Sequence, residues 1–309
     1  MSRINFGVML RQQKIDFSQI RETAELCDEL GYHSAWFYDH ILGIGGAEMD
    51  IFESWTLMSA LSTATSNLRL GTMVLCNSFR PPALLAKMAS TLDVISGGRL
   101  EFAIGAGWHE PEYRAYGYEF PGTVTRIEQL AEAVRIIRAM WTEEQATYKG
   151  QHYTVNEAYC NPKPAQTPHP PIMIGGVGER HLLRVVAELA DEWNCPANYA
   201  LDFDHKLDVL TKHCEEVGRD VNDIGLSQQT VCVLAKDRTG LEEKLQKAQK
   251  RYGFFGNVEE FGIVGTPDQC IKKIEEDEKK GIRKYTIFFS DIMNQDTLKF
   301  FAKEVMSAF

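Results

Sequence analysis

Short apolar runs and helix-period segments alternate along the whole chain. Residues 4–9 (INFGVM) read as a strand, and 17–30 as an amphipathic helix stopped by Gly31. The couple repeats as strand 34–38 with helix 53–64, then strand 68–75 with helix 82–95, opened by Pro81-Pro82. Strand 99–105 has its helix delayed to 123–140, strand 171–176 leads into helix 178–190, and strand 191–194 into helix 202–217. Strand 226–235 precedes helices at 241–252 and 267–280, and strand 285–289 precedes the last helix, 295–307. Strands separated by covering helices pair in parallel. Eight such units without a composition break predict one α/β domain over residues 1–309, a closed (β/α)8 TIM barrel rather than two doubly wound halves.

Three segments exceed an ordinary connection: 105–122, 141–170 and 253–266. The first follows a strand, so it falls on the face where barrel loops build sites. The second carries ATYKGQHYTVNEA and NPKPAQTPHPP, a hairpin and a Pro-rich connector inserted before the fifth strand. Its position after a helix puts it on the opposite face, as a surface cap or subunit contact.

Composition narrows the partners. A net charge of −10 argues against nucleic acid or an anionic membrane surface as partner. No apolar run approaches the ~20 residues of a membrane span. The start, MSRINFGVML, enters a strand pattern without the features of a leader, and the expected location is the cytoplasm. Cysteines 27, 76, 160, 195, 214, 232 and 270 are scattered without a C-x-x-C pair, and read as small buried hydrophobes in a reducing compartment. The eight histidines form neither H-E-x-x-H nor H-x-H, so no metal is expected.

The polar residues at strand ends are the candidate chemistry. Asp39-His40 follows an apolar strand, and a histidine at a barrel mouth can exchange a proton with a bound heterocycle. Residues 99–112, RLEFAIGAGWHEPE, run a strand into Gly105-Ala106-Gly107 and then Trp108, His109 and Glu110. This is not a dinucleotide fingerprint, because Glu110 stands where the third glycine is needed. Gly175-Gly176 and Gly178, ahead of Glu179 and Arg180, form a glycine turn at a helix start, suited to an anion.

Together WFYDH, LRLGTMV, PALLAKMASTLDVISGGRLEFAIGAGW and PPIMIGGVGER…ADEWN resemble the luciferase-like superfamily of flavin- and deazaflavin-dependent oxidoreductases, nearest its coenzyme F420-dependent branch. The match is collinear over essentially the whole chain. The resemblance implies a cofactor across the barrel mouth and a non-prolyl cis peptide between Met73 and Val74, with Cys76 close by. It places Asp39 and His40 at the reactive ring edge, and lets the backbone at Gly105, Ala106 and Gly107 come close to the ring. It assigns the cofactor phosphate to Gly175, Gly176 and Gly178, with Glu179 and Arg180 at the helix start.

Trp108, His109 and Glu110 are the further catalytic candidates, Trp108 walling an apolar substrate pocket in which His109, Glu110 and Glu112 could handle protons. The family's sugar-phosphate dehydrogenases carry a glutamate where this chain has Trp108, and an acid where it reads Arg11-Gln12-Gln13, which argues against a sugar phosphate. The expected function is hydride exchange between coenzyme F420 and a small organic substrate, by a homodimer. The alternatives are an FMN-dependent two-component monooxygenase and a non-catalytic flavin-binding protein.

Overall fold

The computed structural model describes residues 4–291 and 295–309, so the first three residues of the opening MSRINFGVML lie outside the described residues. β1 (Asn5–Met9), β2 (Ser34–Phe37) and β3 (Arg69–Thr72) pair in parallel, joined through α1 (Phe17–Glu29) and α2 (Ser54–Ser62). Asp16 and Gln19 close a capping box at the start of α1, satisfying amides the helix cannot bond itself. The third strand does not run through as its apolar pattern predicts. The Met73–Val74 peptide is cis, and the strand resumes as β4 (Leu75–Cys76), paired with β5 (Leu100–Gly105). α3 (Pro82–Ile95) connects them, with proline in its first turn.

After β5 the chain forms α4 (Glu110–Tyr116), which the sequence reading left as loop, and then α5 (Thr123–Thr142). β6 (Ala146–Lys149) and β7 (Thr154–Ala158) are the expected antiparallel hairpin. Its turn is held by the Glu132 carboxylate, which accepts the amides of Gln151, His152 and Tyr153 at 2.7, 3.0 and 3.0 Å. The hairpin also reaches the end of β4, where Asn77 Nδ2 donates to the Tyr153 hydroxyl at 3.2 Å.

β8 (Ile172–Gly175) is followed by α6 (Leu182–Leu189), which begins at Leu182 rather than at 178. β9 (Glu192–Cys195), α7 (Phe203–Val217), β10 (Gly225–Leu234) and α8 (Arg238–Tyr252) come next. The segment read as a long connection at 253–266 contains α9 (Val258–Phe261) and a short strand, β11 (Ile263–Gly265), beside the end of β10. α10 (Pro267–Lys279), β12 (Ile282–Phe289) and α11 (Gln295–Glu304) complete the order. β10 pairs with both β9 and β12, and β12 with β1. The sheet therefore closes as an eight-stranded parallel barrel, with β3 and β4 as two pieces of one strand.

Strand alternation sorts the core. Met9, Trp36, Met73, Ala103, Met173, Val231 and Phe288 fill the barrel interior, while their chain neighbours Leu10, Phe37, Ile104, Ile174 and Phe289 pack outward under the helices. Each such side chain contributes about 1.5–3 kcal/mol by leaving water. All seven cysteines are buried and unpaired. No helix among the described residues is long and apolar enough to cross a membrane. No group of three His, Cys, Asp or Glu residues among them could hold a metal ion.

Candidate active site

His40 lies just past β2, at the barrel mouth, and its Nδ1 is 2.8 Å from Glu112 Oε2. Glu112 sits in the first turn of α4 and is 1% exposed. Its other oxygen accepts the amides of Ile41 and Leu42 at 2.9 and 3.0 Å. Burial pushes the Glu112 carboxyl up, but the bonds from His40 and from those amides outweigh it and hold its pKa below the usual carboxylate value. An ionised Glu112 can only accept, so Nδ1 carries the ring proton and the lone pair of neutral His40 is left on Nε2. The imidazole stands edge-on to Trp108 and His109, at centroid distances of 5.7 and 5.8 Å.

An open cleft lies beside this pair. It brings together Asp39, His40, Met73, Val74, Cys76 and Gly107 with Trp108 and His109. Behind it, the glycines at the ends of β5 and β8 make room for the Val74 side chain. A Cβ on Gly105 or on Gly175 would stand 2.8 Å from a Val74 methyl, too close for either position to carry one. Gly107 has φ +78°, and a Cβ there would collide with the Tyr113 hydroxyl, itself fixed against Cys76 Sγ at 3.0 Å and Ser78 Oγ at 3.1 Å.

Asp39 lines the cavity with its carboxylate already engaged. Oδ1 accepts from Ser54 Oγ at 2.8 Å and Arg80 Nη2 at 2.9 Å, and Oδ2 from the Cys76 amide and Arg80 Nη1, both at 2.8 Å. Arg80 also reaches Glu53 at 2.8 Å. Asp39 thus ties the end of β2 to β4, a part the sequence reading did not foresee.

Other candidates lie elsewhere. Glu110 points away to pair with Arg114 on the exposed side of α4, at 2.6 Å, because the two are four residues apart on a helix. Ala106 packs against the outer apolar cluster. At the glycine turn, Gly176 has φ +127° and its amide is taken by the Asn194 carbonyl at 3.2 Å. The amides of Val177, Gly178, Glu179 and Arg180 have no acceptor among the described residues. The Glu179 side chain is drawn to Lys206 and His205 at 2.5 and 3.0 Å, off those amides. Arg180 is exposed. The cavity beside Val74 and Gly107 and the run of open amides fit a ring with an anionic tail.

Arg80 was not among the candidate residues, and Glu112 stood there as one of three proton-handling candidates rather than as the partner of His40. Pro111 between two glutamates, with Gly117 six residues past Pro111 in the left-handed region, marks a helix start and stop that would have put Glu112 at the mouth.

A model of the luciferase-like monooxygenase family matches residues 1–258. An uncharacterized protein of Mycobacterium tuberculosis is 32% identical over 222 residues, 72% of this chain and 72% of its own length. The pyrimidine monooxygenase RutA of Klebsiella pneumoniae is 35% identical over 133 residues, 42% of this chain and 33% of its own. Among solved structures, an F420-dependent secondary alcohol dehydrogenase in complex with an F420-acetone adduct superposes with TM-score 0.84 at 19% identity, covering 99% of both chains. The coenzyme F420-dependent tetrahydromethanopterin reductase of Methanopyrus kandleri gives 0.81 at 21% identity, again over 99% of both. The oxygenating constituent of 3,6-diketocamphane monooxygenase from Pseudomonas putida, in complex with FMN, gives 0.78 at 18% identity and the same coverage. At these identities the structures speak for the barrel alone.

Proposed function

The chain belongs to the luciferase-like monooxygenase family and is an oxidoreductase, and we propose that its cofactor is coenzyme F420 and its substrate a small organic molecule turned over beside His40. The observation that carries this reading is the His40–Glu112 pair at the edge of a cavity lined by Met73, Val74 and Gly107. Bound there, the deazaflavin would supply two-electron hydride chemistry at C5, leaving orientation and electrostatics to the protein. Val74 and Gly107 would hold the ring, and the amides of residues 177–180 the phosphate. His40 Nε2 takes up or returns the proton that accompanies oxidation or reduction of the substrate. Glu112 holds the imidazole in that tautomer and stabilises its protonated form. Asp39 and Arg80 act through the Cys76 amide, keeping β4 in place under the ring.

The second reading, an FMN-dependent monooxygenase, has in its favour the stretch shared with RutA. Oxygen activation asks for a site closed to water. This mouth is open, with Trp108 67% exposed at its rim, and hydride transfer tolerates that better. The reading includes a homodimer acting in the cytoplasm, with the exposed Leu84, Val94 and Ile95 of α3 supporting a subunit contact there. Titrating the purified protein with coenzyme F420 and, separately, with FMN tests the cofactor assignment by fluorescence quenching. Saturable deazaflavin binding, tighter than FMN, is the expected result. Tight FMN binding with none of the deazaflavin reverses the order of the two readings.

A further inference from the structure

The barrel mouth has a second half that the mechanism above leaves unused. β1 and β2 run in register with Met9 opposite Trp36, both inside the barrel. Two residues on, the same alternation brings Arg11 and Tyr38 to the inward side of the mouth, next to each other. Phe288, at the end of β12, is inward too, 6.3 Å from Tyr38 between ring centroids. Tyr252 and Phe255 stand 5.5 and 5.6 Å from Phe288, and Phe254 lies 4.1 Å from Phe255. Phe254 is 73% exposed, so the row of rings runs out to solvent. Its inner end is Tyr38, 6.1 Å from the His40 ring.

Two guanidinium groups serve this half. Arg11 is half-buried, with Nε donating to the Gln13 carbonyl at 2.8 Å, and its Nη groups have no partner among the described residues. The segment beneath is fixed by buried Gln12, whose amide group bonds both backbone groups of Tyr38, at 2.6 and 3.0 Å. Arg251 lies 5.3 Å over the Tyr252 ring, again without a carboxylate among the described residues. Burial pushes the Tyr38 phenol up, and the charges of Arg251 and Arg11 oppose that push, so both reach this spot electrostatically. In a chain of net charge −10, half-buried Arg11 and exposed Arg251, both without a carboxylate among the described residues, are a selective feature beside a row of rings.

We propose that this half of the mouth is a subsite for an apolar carboxylic acid, its ring or hydrocarbon body against the half-buried Tyr38 and Phe255 and the exposed Phe254, and its carboxylate on Arg11, with Arg251 at the rim. The inference deepens the proposed function, since it names the substrate class of the same active site. A guanidinium fork matches a carboxylate in two parallel hydrogen bonds, and aromatic faces hold a planar body edge-on or offset. An acid seated there would have its apolar end toward Tyr38 and His40, where the proton is handled.

The test is direct binding to the cofactor-free full-length protein, followed by intrinsic fluorescence, with 2-naphthoate and its uncharged analogue 2-naphthamide as probes. The acid is expected to bind at least tenfold more tightly than the amide. Arg11→Met should abolish that preference without changing amide binding, Arg251→Met should reduce it, and Phe254→Ala should weaken both probes. Equal affinity for acid and amide in the wild type overturns the proposal. So does a preference that survives both arginine variants, and if Arg11→Met does not fold, a preference untouched in Arg251→Met has the same force. Because no cofactor is present, failure of deazaflavin and FMN binding leaves this result readable, and acid binding without cofactor binding counts against the function alone.

Discussion

Replacing His40 by asparagine is expected to lower kcat by about 10²–10³-fold with any substrate the enzyme turns over, with little change in cofactor affinity. The imidazole has one ring nitrogen committed to Glu112 at 2.8 Å and the other free for the reaction. Asparagine keeps a polar group there but cannot carry a proton between cofactor-bound substrate and solvent. Glu112→Gln tests the second member of the pair. It preserves the shape and an oxygen for the amides of Ile41 and Leu42, while removing the negative charge beside the ring. The NH2 group that then faces the ring donates to Nδ1, so the ring proton moves to Nε2 and the lone pair the reaction uses is lost. Turnover is expected to fall about 10–100-fold. The double variant should cost little more than His40→Asn, because the glutamate acts through the histidine. A Glu112→Gln enzyme with wild-type turnover, or a double variant equal to the two losses combined, assigns the proton to another group.

The second large effect concerns the opposite end of the barrel. Lys284, buried inside β12, bonds Glu101 Oε2 at 2.7 Å and both oxygens of Glu192 at 2.7 and 2.9 Å, and Arg69 adds its guanidinium to Glu101. Lys284→Met leaves two buried carboxylates short of their counter-charge, and is expected to destabilise the fold by about 3–5 kcal/mol in chemical denaturation. Replacing the three together, as Lys284→Met with Glu101→Leu and Glu192→Leu, should recover most of that loss, because an apolar layer needs no counter-charge.

Acid should act on the same cluster. Burial alone would push the Glu101 carboxyl up, but Lys284 and Arg69 hold it down to about 2. Its stabilisation is therefore complete above the ordinary carboxylate range and is lost as pH falls from there toward 2. Burial leaves Glu192 raised, so it takes up a proton first. Lys284 is raised by the two carboxylates despite burial, and its share is lost only as pH rises through that raised value. The triple variant should show a flatter acid limb than the wild type.

The eight strand–helix units were legible because each strand is a short, mostly apolar segment followed by a helix-period segment, a pattern that survives any detail of packing. Where tertiary geometry decides, the pattern misled. Residues 68–75, LRLGTMVL, read as one strand, and nothing in their periodicity marks the break between β3 and β4; only the family resemblance located the cis bond at Met73–Val74. Gly178 looked like a helix start, yet the chain makes a further turn before α6 begins at Leu182, with the Leu183 amide reaching back to the Gly178 carbonyl at 3.0 Å.

The site was half legible. His40, Trp108 and His109 stood out as polar or bulky residues following buried strands. Glu112 stood out only as one of three proton-handling candidates, because its partner lies 72 positions away and a carboxylate in an acidic loop looks like solvated surface. Glu110, two residues before it on α4, turns to Arg114 instead. Glu101, Glu192 and Lys284 were overlooked for a related reason: each is a lone charge in a different strand, and only closure of the barrel brings them together.

A structure of the protein bound to coenzyme F420 tests the central claim most directly. The account predicts the ring against Val74 and Gly107 with its edge at His40, and the phosphate on the amides of residues 177–180. A ring lodged on Tyr38 and Phe288, with the His40–Glu112 cavity left to solvent, would contradict it.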